Sequence, residues 1–358
     1  MEIVEALPLS LAVKGKIQVQ LKKQEKGNTL PIKLPAKLKN FYIKHGYADI
    51  IKDLRMEVFS DAKICFQLWD EFSPKKSLFD LWDFRAAFYK AYKPELHFIL
   101  LKSGETKIGL LPLWYEEWDK KYFWFGGWWQ EDNKFFVRDQ IFIPILSEIC
   151  PKPILLNTIS VSACRNMGEA SNFVTLIPDD PKYVLDLRGM KILDDYLKKL
   201  KKNRRHSLKK DRARIGRQNP QIIINNFSDL KYLFKLSSQR CREKGQHSDW
   251  DEYPEDKAVF RHVIKMAGKK AGYEIKMITV KIGRKVAGVD LIAVTKDCYY
   301  ALICGYNVKD FSGIGNYFNA LEIEDALRMG VKKIDFLENN YQWKDRWFQA
   351  IPLLKYEG

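Results

Sequence analysis

The sequence is poor in the residues that build metal centres and disulfide frameworks. Its six cysteines (Cys65, Cys150, Cys164, Cys241, Cys298, Cys304) are scattered through 358 residues without a Cys-x-x-Cys pair, and the five histidines do not sit near them. Neither a zinc site nor a set of disulfides is expected, no metal is called for, and the thiols read as core or surface groups. No uninterrupted apolar run approaches the ~18 residues of a membrane span. The start, Met1 to Glu5, is acidic and has neither a basic opening nor an apolar stretch, so no secretory leader is expected and the expectation is a soluble, cytoplasmic protein. Nothing has the spacing of a serine triad, a Walker loop or a metal-binding helix, and no cysteine has a histidine nearby in sequence that would make it a nucleophile.

What is present supports a packed protein. Hydrophobic residues make up 46%, aromatics 13% and charged residues 30% of the chain, which suits folded interiors rather than disorder. At roughly 100–200 residues per domain, the length suggests two. Pro178-Asp179-Asp180-Pro181 is the best boundary, which divides the chain into an arm at 1–40 and domains at 41–180 and 181–358. The net charge is +16, but it is local. Between Lys191 and Arg217 twelve Lys and Arg face three Asp, a net +9, and the other 331 residues carry +7.

Periodicity gives a coarse α/β reading. Helical spacing is read at 47–58 and 78–92, and a hairpin at 97–101 and 107–115 across Ser103-Gly104-Glu105. The indole-rich stretch around Trp114, Trp118, Trp124, Trp128 and Trp129 reads as sheet packing, with a sugar or lipid platform as the other reading. In the second half a strand at 183–187 precedes one basic helix over 191–217, ended by Asn219-Pro220. A strand at 222–224, helices at 227–243 and 253–271, and a second hairpin at 273–281 and 286–294 follow. Both halves carry the order helix, helix, hairpin, strand.

The passage 286–348 carries most of the chemistry. It reads as strand, turn, strand (299–306), a glycine loop Lys309-Asp310-Phe311-Ser312-Gly313-Ile314-Gly315-Asn316, helix (317–329) and strand (331–337). A strand feeding a glycine loop that opens a helix suits phosphate, because the free N–H groups and the dipole of the first turn favour an anion. The other reading is that the glycines turn the chain, with Asn316 near the cap. On the basic helix, 100° steps put Arg204 in the middle of the apolar face of Leu193, Leu197, Leu200, Leu208 and Ile215. A guanidinium there needs a carboxylate or a phosphate. The remaining cations form a solvated face or steer an anionic donor or nucleic acid. Alternation in 286–294 places Asp290 beside Gly288, Ile292 and Val294, where apolar neighbours would raise its pKa toward the range of a general base.

The order strand, strand, glycine loop, helix, strand resembles the acyl-CoA-binding core of the GNAT acyltransferase superfamily. Gly305-Tyr306-Asn307, Gly315, Ala326, Gly330-Val331, Ile334-Asp335-Phe336 and Trp343-Lys344 followed by Trp347 are similar to the CelD/BcsL-like branch, which is related to Fem-type aminoacyltransferases. Ile108-Gly109-Leu110-Leu111-Pro112-Leu113 resembles a strand of that family's first domain. The resemblance implies two tandem GNAT-like domains and an N-acyltransferase that moves an acyl group from acyl-CoA to an amine of a small-molecule, sugar or lipid-linked acceptor. It implies Asp290 as base, Tyr306 as proton donor to the leaving thiolate and Lys344 at the active site. Backbone at Cys304 and Gly305 would polarise the carbonyl, Gly313, Gly315 and Asn316 would hold phosphate, and it favours Arg205 over Arg204 as the arginine that meets the donor's charge. Asp335 and Trp343 would meet substrate, with an Asp335–Lys344 ion pair as the structural alternative. The loop departs from the superfamily at Asp310, where Gln or Arg is usual. Two alternatives stand beside this one: an aminoacyl-tRNA donor held by the basic helix, and a non-catalytic RNA-binding protein on a degenerate acyltransferase fold.

Overall fold

The computed structural model describes residues 28–358, so most of the expected arm at 1–40 lies outside the described residues. In chain order the first half forms β1 (Asn28–Pro31), α1 (Ala36–Lys44), α2 (Ala48–Lys52), β2 (Leu54–Phe59), α3 (Ala62–Phe72), α4 (Trp82–Tyr92), β3 (Glu95–Ser103), β4 (Thr106–Glu116), β5 (Lys121–Trp124), β6 (Phe136–Val137) and α5 (Ile143–Glu148). Strands β1 to β5 pair in sequence order as an antiparallel sheet, with β6 also on β4. Both expected hairpins are present. Residues 47–58 are not one helix: after the short α2 the chain extends into β2, which pairs with β1 and β3. Those partners are distant in sequence and supply the backbone hydrogen bonds that a local pattern cannot anticipate.

The second half forms β7 (Leu155–Ser160), β8 (Ile177–Asp186), α6 (Leu193–Lys199), α7 (Lys202–Gly216), β9 (Gln221–Ile224), α8 (Leu230–Glu243), α9 (Asp249–Glu252), α10 (Pro254–Met266), β10 (Glu274–Ile282), β11 (Lys285–Val294), β12 (Cys298–Tyr306), α11 (Ile314–Met329), β13 (Lys333–Glu338) and β14 (Gln349–Glu357). Its sheet runs β7-β14-β8-β13-β12-β11-β10-β9. Two expectations are corrected. The Pro178–Pro181 run is part of β8, and β7 belongs to this sheet, so the second sheet begins well before residue 181. The prolines are tolerated because β13 pairs only with positions 182–186 and leaves that end of β8 open on one side. The basic helix is two helices: Leu200 and Lys201 are extended, with ψ of 146° and 145°. Neither residue is a glycine or proline that would have marked the break.

The two sheets share a core. Trp69, Phe84, Phe88 and Phe125 from the first half pack in one cluster with Leu233, Phe260, Leu291 and Tyr300 from the second. Trp114 and Trp124 are buried in sheet packing, whereas Trp118 and Trp128 are exposed. A second cluster lies between α6, α7, α11 and the other face of the large sheet. No helix among the described residues is long and apolar enough to cross a membrane.

Candidate active site

Within the large sheet β12 and β13 run parallel, joined by the crossover helix α11, and they pair over three residues: Cys298 with Lys333, Tyr299 with Ile334 and Tyr300 with Asp335. Beyond those pairs the strands separate, leaving 301–306 on one side and 336–338 on the other without each other's backbone. An open wedge between two strands presents free N–H and C=O groups to an extended ligand arm. Cys304 lies on this stretch of β12. The residue is exposed, while desolvation, reinforced by the charges of Asp290 and Glu322, pushes its thiol up to about 12. It forms the floor of the wedge, and a thiol so raised is inert as a nucleophile.

Three sequence candidates meet behind that floor. Asp290 pairs across the sheet with Cys304, and the Tyr306 hydroxyl donates to Asp290 Oδ2 at 3.0 Å. Asp290 is 2% exposed and burial pushes its carboxyl up to about 8. Its Oδ1 has no hydrogen-bond partner. Glu322, buried on α11, faces it and is held well above its ordinary value, by burial first and then by Asp290. The Tyr306 ring packs 4.9 Å from that of Phe318, and burial followed by Asp290 holds its hydroxyl protonated. Asp290 thus stands behind Tyr306, hydrogen-bonded to its hydroxyl. Glu322 was missed, although Phe318, Glu322 and Asp325 at i, i+4 and i+7 place two carboxyls on the inward stripe of a helix, a pattern visible in the sequence.

At the other lip of the wedge the chain is strained. Leu337, Asn339, Tyr341 and Gln342, none of them glycine, have φ of 63°, 64°, 46° and 62°, each costing about 1–3 kcal/mol and persisting only where surrounding contacts enforce it. Lys344 enforces it here. Its ammonium donates to the carbonyls of Phe336, Leu337 (3.3 Å) and Glu338 (2.6 Å). It is 6% exposed, and burial lowers it to about 8 against the opposing pull of Glu131 and Cys304. Lys344 does not pair with Asp335, contrary to the structural alternative. Asp335 is fully buried and receives Lys182 at 2.8 Å, and Lys182 also meets Asp132 at 2.6 Å. Beside them Glu131 accepts from the Glu338 amide at 2.8 Å, and its other oxygen is buried without a partner. Glu338 ends β13 half-buried, and burial together with Asp179 and Asp180 raises it to about 7. Trp343 packs toward Phe348, with ring centroids 6.0 Å apart. Glu131, Asp132, Lys182 and Glu338 were all missed, because they come together only when residues up to 207 apart in sequence meet.

At the expected donor end the glycine loop packs against α7. Gly313 adopts φ of +86° at the start of α11, but α7 lies directly on it. Asn316 donates to Asp211 rather than pointing into open space, and Asp310 is drawn away to Lys285 at 2.8 Å and to Asn307. A Cβ on Gly305 would meet the Leu233 carbonyl oxygen at 2.2 Å, so that glycine is required for α8 to pack on β12. Arg204 donates to the Arg346 carbonyl, while Arg205 lines a shallow cavity of about 460 Å³ with Lys202, Asn203, His206 and Lys209. Wedge and basic cavity are therefore separate features. Among the described residues no cluster of His, Cys, Asp and Glu suits a metal ion.

Residues 202–345 match the family model described as an acetyltransferase (GNAT) domain. That stretch of the second half is therefore similar to a GNAT domain. The chain is built on two mixed α/β sheets, and the match supports an acyltransferase. A crystal structure of FemX is similar over 84% of this chain and 97% of its own, at 11% identity and a TM-score of 0.54. A tandem GNAT protein from the clavulanic acid biosynthesis pathway matches 85% of this chain and 97% of its own at 10% identity and a TM-score of 0.48. L-PGS from Bacillus licheniformis matches 83% and 92% at 8% identity and 0.49. At these identities the FemX likeness concerns the fold alone. No curated protein sequence matches this chain.

Proposed function

We propose that the chain is an N-acyltransferase of the CelD/BcsL-like kind, and that it moves an acyl group from an activated thioester, acyl-CoA or a related donor, to an amine of a small-molecule, sugar or lipid-linked acceptor. The observation that carries this reading is the wedge between β12 and β13, with a titrating carboxyl and a lysine at one lip and a protonated tyrosine at the other. The amine nitrogen attacks the acyl carbon, a C–N bond forms and the C–S bond breaks. Glu338, raised to about 7, takes the amine proton near neutral pH. Tyr306 gives a proton to the leaving thiolate; its hydrogen bond to Asp290 then reverses its sense, and Asp290, protonated below about 8, restores the proton. Lys344 fixes the strained strand end that positions Glu338. A tRNA-borne donor is a second reading, favoured by the cavity of Lys202, Arg205 and Lys209.

The test is mass-spectrometric detection of amide products from isotope-labelled acetyl-pantetheine, acetyl-CoA and aminoacyl-tRNA with a panel of primary amines. Product is expected from at least one donor, falling at least about 100-fold in Glu338→Gln. No product from any of the three donors would sink the reading.

A further inference from the structure

The chain carries a net charge of +16, yet the lip of the wedge at the end of β13 is acidic. Glu338 ends that strand opposite Lys182 of β8, and Asp180 and Asp179 lie two and three residues before Lys182 on the same strand. Adjacent strands run about 4.8 Å apart, which brings the three residues to one rim, and the charges of both aspartates reach Glu338. The cations nearby are committed elsewhere, Lys182 to Asp132 and Asp335 and Lys344 to three backbone carbonyls. Among the described residues no lysine, arginine or histidine comes within ion-pair distance of Asp179, Asp180 or Glu338. Glu131 adds an observation of a different kind. It comes from the first half, is 3% exposed, accepts from the Glu338 amide with Oε1 and keeps Oε2 buried with no partner. A buried polar atom without a partner is costly, and a ligand N–H arriving beside Glu338 would supply one. On the strained turn that follows, Tyr341 is 69% exposed, with the Lys344 ammonium 5.3 Å from its ring centroid. An aromatic face held in the open beside carboxylates suits a cation.

We infer that the acceptor is a polycationic amine: one amine meets Glu338 in the wedge, and a second ammonium is held at the rim by Asp179 and Asp180. This rests on the acyl-transfer reading above and names the class of its acceptor. The gap between neighbouring strands is within the span of a short aliphatic diamine, so both ends are met at once. A monoamine fills the first position alone and leaves the aspartates facing Glu338 with like charge. An anionic acceptor meets repulsion at the rim, so the same carboxyls that favour the dication reject it.

The experiment is calorimetric titration of the full chain, without donor, with the four-carbon diamine putrescine and with butylamine, in wild type, Asp180→Asn and Asp180→Lys. Asp180 is exposed, so both variants are expected to melt with wild type. Wild type is expected to bind the diamine at least about tenfold more tightly than the monoamine. Diamine affinity should fall about threefold in Asp180→Asn, the value of one exposed ion pair. It should fall at least about tenfold in Asp180→Lys, which puts a like charge at the rim, with butylamine unchanged in both. No measurable diamine binding, a wild-type preference below about tenfold, or a preference that Asp180→Lys leaves intact would overturn the inference. Failure of the acyl-transfer reading shows separately, as no amide product from any donor with either amine, and the titrations score the acidic rim in either case.

Discussion

Replacing Lys182 with methionine removes the cation that joins the two halves. Lys182 is 4% exposed, and its ammonium is 2.6 Å from Asp132 of the first half and 2.8 Å from Asp335 of the second. Methionine keeps most of the apolar stem but leaves two carboxyls in the interior beside Glu131. Breaking a buried pair by removing one partner costs about 3–5 kcal/mol, a large share of the roughly 5–15 kcal/mol that holds a typical protein together. The pH dependence follows from Asp132. Burial raises its carboxyl, but Lys182 outweighs burial and holds it below the ordinary value. Its contribution is therefore complete above the unfolded value of about 3.9 and is lost as pH falls through the folded one. Urea denaturation at pH 7 should show the full loss in Lys182→Met, with the gap to wild type narrowing as pH is lowered below about 4. A loss at pH 7 under about 1 kcal/mol, the value of an exposed pair, would refute the view that this ion pair is dry and ties the halves together.

Three further outcomes follow. Gly305→Ala would drive a Cβ to 2.2 Å from the Leu233 carbonyl oxygen, which cannot rotate away, so a loss of about 3 kcal/mol or more is expected in thermal melts. Gly216→Ala, at the end of α7 with open space around it, should instead stabilise by about 0.4–1 kcal/mol. Transfer should rise as Glu338 ionises through about 7 and fall as Lys344 and Asp290 lose their protons through about 8; in a pH profile of kcat/KM, Glu338→Gln should remove the acid limb, while Lys344→Met should leave the alkaline limb that Asp290 sets.

The second half of the chain was the more legible. The hairpin β10–β11, the strand β12, the glycine loop, α11 and β13 all announce themselves by alternation, glycine placement and helical spacing over short distances. The same signals located Asp290 and Tyr306 but not their hydrogen bond, because a bulge between Leu291 and Ile292 shifts the register of the two strands. What the sequence hid is non-local. Lys182 meets Asp335 across 153 residues, and Glu131 reaches Glu338 from the other sheet. The break at Leu200–Lys201 has no residue that demands it, so Arg204, placed on one continuous helical face, turns instead to the Arg346 carbonyl. Gly313 also lets Asp211 and Arg214 of α7 approach closely, a contact between helices that no local pattern announces.

The location of the chemistry can be tested at one position. Cys304 is exposed on the stretch of β12 that has no β13 partner, so Cys304→Trp fills the wedge from its floor without entering a packed core. With the labelled donor and amine that give product in wild type, kcat/KM should fall at least about 100-fold, about 2.7 kcal/mol in the barrier, while the melting temperature stays within about 2 °C, less than 1 kcal/mol of stability. Transfer that proceeds undiminished in the folded variant would contradict a reaction in the wedge between β12 and β13.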